Sequence, residues 1–297
     1  MSAHGQGFPP QGAAEQGEGT EGPEHPPPAY AARPFVGLPG ETEWVAMREI
    51  VPAATAPISF SHGGTSGEAT VATVLPLAWA GLHRDNGELM VGLQSGGGTG
   101  DLSRDLAEAL LAAAQLEAGQ PLEHAPKATA ASPRLQDLIA ESAEPLRAQV
   151  HEGFEFWVDA DQLDAEGQAS LDRANEAAAP TVRVVEDQSA FWCRIGDRTY
   201  VRWVLPHDEN RATDALARLH AADRSRLGDG RLLGAFRACG LLVPVWEVEP
   251  DVDPADLAAP MADMVQRFDE AHADESPLTP EERRARNGFV SRQVTLR

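Results

Sequence analysis

The feature that most constrains the fold of this chain is an internal echo, in which the second half repeats the order of patterns found in the first. In the first copy the spacing predicts a strand over 70–74, a hairpin over 78–94, a helix over 102–116, a short helix after Arg134, a strand over 154–158 and a helix around Leu171. In the second it predicts a strand over 181–185, a hairpin over 191–205, a helix over 212–220, a short helix over 231–239, a strand over 243–248 and a helix over 257–268. Trp79 and Trp192 open the two hairpins, the run from Asp105 echoes the run from Asp214, and Trp157 stands where Trp246 does. Hairpins mixed with amphipathic helices predict an α+β fold of two related halves, each a small mixed or antiparallel sheet with helices on one face. The expected boundaries are a disordered tail over 1–33, a first half over 34–179, and a second half over 180–297 that ends in a basic helix and tail.

Charge and residue usage narrow the function classes. A net charge of -22 repels phosphate backbones, so no nucleic-acid partner is expected. Lys127 is the single lysine, in an alanine- and proline-rich stretch, which removes the Gly-Lys of a P-loop and leaves a Schiff-base role without a promising residue. Cys193 and Cys239 are too few for a disulfide framework and are not spaced as metal ligands, so they read as core residues in a reducing compartment. No run approaches the roughly 18 apolar residues of a membrane span, and the N-terminus lacks a signal-peptide pattern, so the expected location is the cytoplasm, without membrane insertion. The first residues are Gly, Pro, Gln and Glu with few branched apolar side chains, and Pro27-Pro28-Ala29-Tyr30 matches the short proline-rich ligand of WW domains.

Local patterns give candidate sites. Asn86-Gly87 predicts a type I' turn in the first hairpin. In the second, strand alternation sends Phe191, Cys193 and Ile195 with Val201, Trp203 and Leu205 to a core face, and Trp192, Arg194, Tyr200 and Arg202 to the other. That second face is the binding candidate, since aromatic and guanidinium groups together suit a planar anion or a carboxylate, with arginine stems lying over aromatics as the plainer alternative. Leu102, Leu106, Ala109, Leu110 and Ala113 form a core-facing stripe, as do Leu257, Met261, Met264, Val265 and Phe268. Thr279-Pro280-Glu281-Glu282 opens a last helix. Beyond it Arg283, Arg284, Arg286 and Arg292 are predicted to dock on the acidic body, with Phe289, Val290 and Val294 as apolar anchors.

No catalytic residue, metal ligand or cofactor is assigned. The acidic run Asp159, Asp161, Asp164 starts like a calcium loop, but Leu163 and Asp164 stand where an oxygen ligand and a glycine are needed, so helix capping is favoured, as for Asp251, Asp253 and Asp256. His207-Asp208-Glu209 suits acid-base chemistry if a histidine such as His83 or His220 joins it, and suits capping by Asp208 or Asn210 better. The loop Gly96 to Gly100 reads as a flexible connection, and no Gly-x-Ser-x-Gly elbow occurs. The expected function is a non-catalytic binding or adaptor module for an unknown protein or a small anionic ligand. The alternative is an enzyme of unrecognised type that uses His207 and Asp208 with a histidine from another element.

Several segments carry a resemblance: GLPGETEWVAMREIVPAATA (37–56), DLSRDLAEALL (101–111), GFEFWVD (153–159), LARLHAADRSRLGDG (216–230), GLLVPVWEVE (240–249), LTPEERRAR (278–286) and SRQVTLR (291–297). In these the chain resembles an actinobacterial family of unknown function often labelled SecA-like preprotein translocase proteins. The resemblance implies that the label comes from a zinc-binding cysteine motif near the N-terminus of many members. No cysteine precedes Cys193 here, so that motif is absent from this sequence, and nothing else in it supports translocase activity. Residues 231–249 are also similar to the helix and Leu-Val-Pro-Val strand of SseB-type proteins associated with secretion, which implies a small α+β interaction module.

Overall fold

The computed structural model describes residues 26–95, 98–157 and 165–291. Among them are seven helices and two sheets, an α+β fold. Helix α1 (Glu41–Glu49) starts at Gly40, where φ is 74° and an added Cβ would lie 2.5 Å from the Leu146 carbonyl oxygen. Strand β1 (Ala54–His62) turns through Gly63 and Gly64, both left-handed, into β2 (Thr65–Ala72). Next come β3 (Gly81–His83), β4 (Leu89–Gly92), helix α2 (Leu102–Ala113), β5 (Gln120–Leu122), helix α3 (Leu135–Leu138) and β6 (Gln149–Val150). These six strands form one mixed sheet in the order β5-β3-β4-β2-β1-β6, with β2 and β4 parallel.

The second sheet is antiparallel. It comprises β7 (Thr181–Arg183), β8 (Ala190–Ile195), β9 (Arg198–Trp203), β10 (Arg231–Ala238) and β11 (Leu241–Val248), in the order β10-β11-β9-β8-β7. Helix α4 (Ala165–Ala177) precedes it, and α5 (Glu209–Ala221), α6 (Ala258–Ala273) and α7 (Pro280–Ser291) accompany it. Leu216 and Leu219 of α5 and Met261, Met264 and Phe268 of α6 bury against Trp203 and Trp246, with Phe268 edge-on to Trp203 at 5.3 Å. The two halves share a core: Phe35, Trp44, Met47, Val71 and Leu110 cluster with Phe191, Leu241 and Val243.

A polar clasp crosses the same boundary. Glu43 of α1 receives both guanidinium nitrogens of Arg183, at 2.9 and 2.6 Å, the Ser189 hydroxyl at 2.5 Å and the Ala148 N–H at 3.0 Å. Arg183 lies over the Phe191 ring at 4.8 Å. Burial alone would raise the Glu43 carboxyl, and the Arg183 pair with the Ser189 and Ala148 donors outweighs it and holds the group below its ordinary range.

Five expectations need correcting. Residues 231–239 form strand β10 and not a helix, because Cys239 and Gly240, at φ 46° and 82°, fold it back onto β11. Glu155–Trp157 is a 3-10 turn and not a strand. Residues three apart lie on opposite sides of a strand but come together in a turn, and here Phe154 stacks on Trp157 at 4.5 Å while the Trp157 indole donates to the Val74 carbonyl at 2.8 Å. Trp157 and Trp246 therefore do not occupy equivalent strands. Nor do the opening tryptophans match, since Trp79 follows the 3-10 turn Pro76–Ala78 whereas Trp192 lies within β8. Strand wiring differs too: β2 runs parallel beside the second strand of its hairpin, and β7 runs antiparallel beside the first.

The first hairpin has no two-residue turn. Its loop is Asp85 to Gly87, with Gly87 at φ 87°, and His83 pairs with Leu89. Of the segment expected as a tail over 1–33, residues up to 25 lie outside the described part. Residues 26–33 pack on the body: Ala130 N–H donates to Pro26, Ala31 N–H to Gly100, and Arg33 pairs with Glu41 at 2.6 Å.

Candidate functional site

The second-hairpin candidates do not share a face. The turn Gly196-Asp197 holds two residues, so Trp192 pairs with Val201 and Arg194 with Thr199, while Cys193 pairs with Tyr200 and Phe191 with Arg202. Partners directly across a ladder point the same way. Trp192 and Arg194 therefore lie on the side of Trp203 and helices α5 and α6, and Tyr200 and Arg202 lie on the opposite side with Cys193 and Phe191. Arg202 is 8% exposed and donates to the Ile50 carbonyl at the end of α1 at 2.9 Å. Trp192 and Tyr200 are buried. Arg194 alone of the four is exposed, bonded to the Pro250 carbonyl and lying over Trp192 at 5.5 Å.

The histidine and aspartate candidates separate in the same way. Asp208 caps α5, accepting from the Asn210 and Arg211 N–H groups. His207 lies tilted against His272 of α6 at 4.1 Å and stacks on Phe268 at 5.6 Å, away from His83 and His220. His83 bonds the Leu116 carbonyl, and His220 contacts Ser225 and the Phe289 ring. Burial, then the neighbouring His272, push His207 below its ordinary value, with Asp269 opposing. The Cys239 thiol is pushed up to about 12 by burial and Glu49. Asp253 caps a 3-10 turn, while Asp159, Asp161 and Asp164 lie outside the described residues, as do Gly96 and Gly97. Among the described residues no three His, Cys, Asp or Glu side chains gather as a metal site, and no helix is long and apolar enough to cross a membrane.

Helix α7 packs on α5, and of the C-terminal arginines among the described residues Arg286 reaches the body, whereas Arg283 and Arg284 bond within their own segment. Arg286 reaches Asp214 at 2.5 Å and Asn210 at 3.0 Å, and Phe289 lies edge-on to His220 at 5.3 Å. Arg284 pairs with Glu281, and Arg283 bonds the Leu278 carbonyl. Arg292 and Val294 lie outside the described residues, and the Val290 side chain is not described.

The site that pattern reasoning misses is a groove of about 730 Å³ beside β1. Residues 57–61 of β1, 68–70 of β2 and 87–89 line one side, and Leu138 with Ala140, Ser142, Ala143 and Glu144 line the other. Its floor is apolar, from Ile58, Phe60, Ala69, Leu89 and Leu138. Glu68, Glu88 and Glu144 are among its lining residues, Glu68 on the solvent-facing side of the β1–β2 hairpin and the floor on the other, and the lining holds no lysine or arginine. Glu88 is tied to Thr70 at 2.9 Å and to Arg84 at 3.4 Å, whereas Glu68 and Glu144 are exposed and unpaired among the described residues. β6 pairs with Ala54 and Thr55 alone, so β1 from Ala56 onward has β2 on one side and no strand on the other among the described residues. The signals in the sequence are Gly63-Gly64, which marks the hairpin, and Pro57, a residue confined to edges and bulges of sheets.

These features define an α+β protein of two sheets on a shared core, with an apolar-floored groove lined by carboxylates beside a strand edge that has no partner among the described residues. The chain belongs to a family of unknown function (DUF5926), whose model matches residues 34–297. No curated protein and no solved structure matches the chain.

Proposed function

We propose that the protein is a non-catalytic binding or adaptor module of the cytoplasm that holds part of a partner protein in the groove beside β1. The observation that carries this reading is the groove itself, whose volume suits a ligand and whose unpaired strand edge and apolar floor lie together. A small anionic ligand fits it poorly, since carboxylates are among its lining residues. The rival enzyme gains a histidine from another element, His272 of α6, beside His207 at 4.1 Å, and is disfavoured because Asp208, its proposed carboxylate, is engaged as the cap of α5. A net charge of -22 argues against nucleic acid, and any link to secretion rests on the sequence resemblance.

The test is native mass spectrometry of protein purified from its own host, comparing the wild type with the double variant Glu68→Arg, Glu144→Arg. Partner retention is expected to disappear while the melting temperature holds, because exposed charges contribute little to stability. Undiminished retention in the double variant removes the groove from the account.

A further inference from the structure

We infer that the occupant of the groove is an extended, basic peptide that adds as a strand to the free edge of β1. This rests on the groove being the binding site and specifies what enters it and how. In a strand, backbone groups of successive residues point to alternate edges. The Ala53 carbonyl accepts from His151 on the β6 side, and the Ala54 carbonyl accepts from Thr73 on the β2 side. Odd-numbered residues of β1 therefore face outward. Thr55 is met by Gln149 of β6. Pro57 has no N–H to give. Ser59 and Ser61, both in the groove lining, then present two N–H and two carbonyl groups to the open edge of β1, and their backbone groups bond nothing among the described residues.

An unpaired edge is a template for another strand unless it is guarded. Pro57 guards one end and leaves the rest open toward the hairpin tip. From Pro57 to Ser61 the edge runs about 14 Å at roughly 3.4 Å per residue, the reach of about five residues of an added strand. Chemistry along the two faces differs. Ser59 is paired with Glu68 on the solvent-facing side of the hairpin, and Ile58 is paired with Ala69 on the core-facing side. A strand laid along this edge would place alternate side chains near Glu68 and near the apolar floor with Leu138. Arginine or lysine suits the first set and a β-branched apolar residue the second, and Glu144 on the opposite wall adds to the preference for cations. With Glu68 on one face of the hairpin, Glu144 on the opposite wall, both unpaired among the described residues, and no basic residue in the lining, the carboxylates select a basic partner over an acidic one.

The experiment uses the full chain and a fluorescein-labelled seven-residue peptide of alternating arginine and valine, read by fluorescence anisotropy at physiological salt so that diffuse attraction to the acidic body is screened. Two further peptides carry N-methyl groups on alternate amides, one set per peptide. Strand addition predicts that one N-methylated peptide binds at least about tenfold more weakly while the other stays within about twofold of the parent, because one set of amides faces β1. Equal affinity of both methylated peptides overturns strand addition and leaves the groove as a binding site. Absence of binding by all three, or binding unaltered in the Glu68→Arg, Glu144→Arg variant, overturns the groove reading as well. Sedimentation of the same samples tests a second copy as occupant: a dimer that the peptide fails to dissociate overturns the proposal.

Discussion

The hairpin β3–β4 closes through three residues, Asp85 to Gly87, and the hairpin β8–β9 closes through two, Gly196 and Asp197. In the first, residues of like parity stand opposite each other, such as Leu82 with Met90. In the second, residues of unlike parity do, such as Trp192 with Val201. A single loop residue exchanges the faces of one strand relative to the other. Trp192, Arg194, Tyr200 and Arg202 alternate correctly within each strand, yet the pairs fall on opposite sides of the sheet. The consequence reaches the architecture, because the face carrying Tyr200, Arg202 and Phe191 turns toward α1 and becomes part of the joint between the halves. In the first hairpin the corresponding arginine, Arg84, pairs with Glu88 across the loop and donates to the Phe156 carbonyl.

The largest test of this contrast is the clasp at Glu43. Replacing Glu43 with Gln leaves the Arg183 guanidinium buried without its counter-charge, a change that costs about 3–5 kcal/mol in comparable buried pairs. The pH dependence carries the same information. A carboxyl held below its ordinary pKa in the folded state contributes stability that is fully present above its unfolded value, near 4.5, and is lost as pH falls through the folded value. Denaturant unfolding of the wild type should therefore weaken in that acid window, and the Glu43→Gln variant should show a flatter dependence there. Parallel curves for the two proteins would remove the clasp as the joint.

A smaller effect separates the two arginines of the second hairpin. Arg202→Ala removes the charged donor that satisfies the Ile50 carbonyl in the interior, and should cost about 1.5–3 kcal/mol. Arg194→Ala, on the exposed side, should stay within about 0.5 kcal/mol. Equal losses in chemical denaturation would break the assignment of the two residues to different faces.

Local chemistry was legible in the sequence and pairing was not. Asp208 and Asp253 cap the elements that follow them, and Thr279 and Glu282 exchange the two hydrogen bonds of a capping box, at 2.7 and 3.3 Å. Each of these depends on neighbours three residues away or fewer. Strand β10 depends on β11, and its own run of Leu232, Leu233, Gly234 and Ala235 carries no strong alternation. The groove was less legible still. Whether Ser59 and Ser61 have a partner is decided by how short β6 is, and β6 lies some ninety residues further along the chain. Proline at position 57 marks an edge but does not say which neighbour is missing.

The smallest expected effect concerns the histidine that follows the second hairpin, for which the first has no equivalent, since the His83 ring bonds the Leu116 carbonyl. His207 faces His272, Phe268, Asp269 and Arg211. Burial lowers its pKa first, His272 and Arg211 lower it further, and Asp269 raises it. A histidine that resists protonation when folded contributes stability above its unfolded value, near 6.5, and that contribution is lost as pH falls toward the folded value, because the unfolded chain takes up the proton more readily. Replacing His272 with Phe keeps an aromatic ring against His207 and removes a neighbouring positive charge at low pH. Nuclear magnetic resonance titration of the His207 ring should then show its pKa moving up toward 6.5, and the window of lost stability should narrow. Asp269→Asn should move it the other way, because the carboxylate that favours the imidazolium is gone. If His207 titrates identically in the wild type and His272→Phe, burial accounts for the whole shift and the histidine pair adds nothing to it.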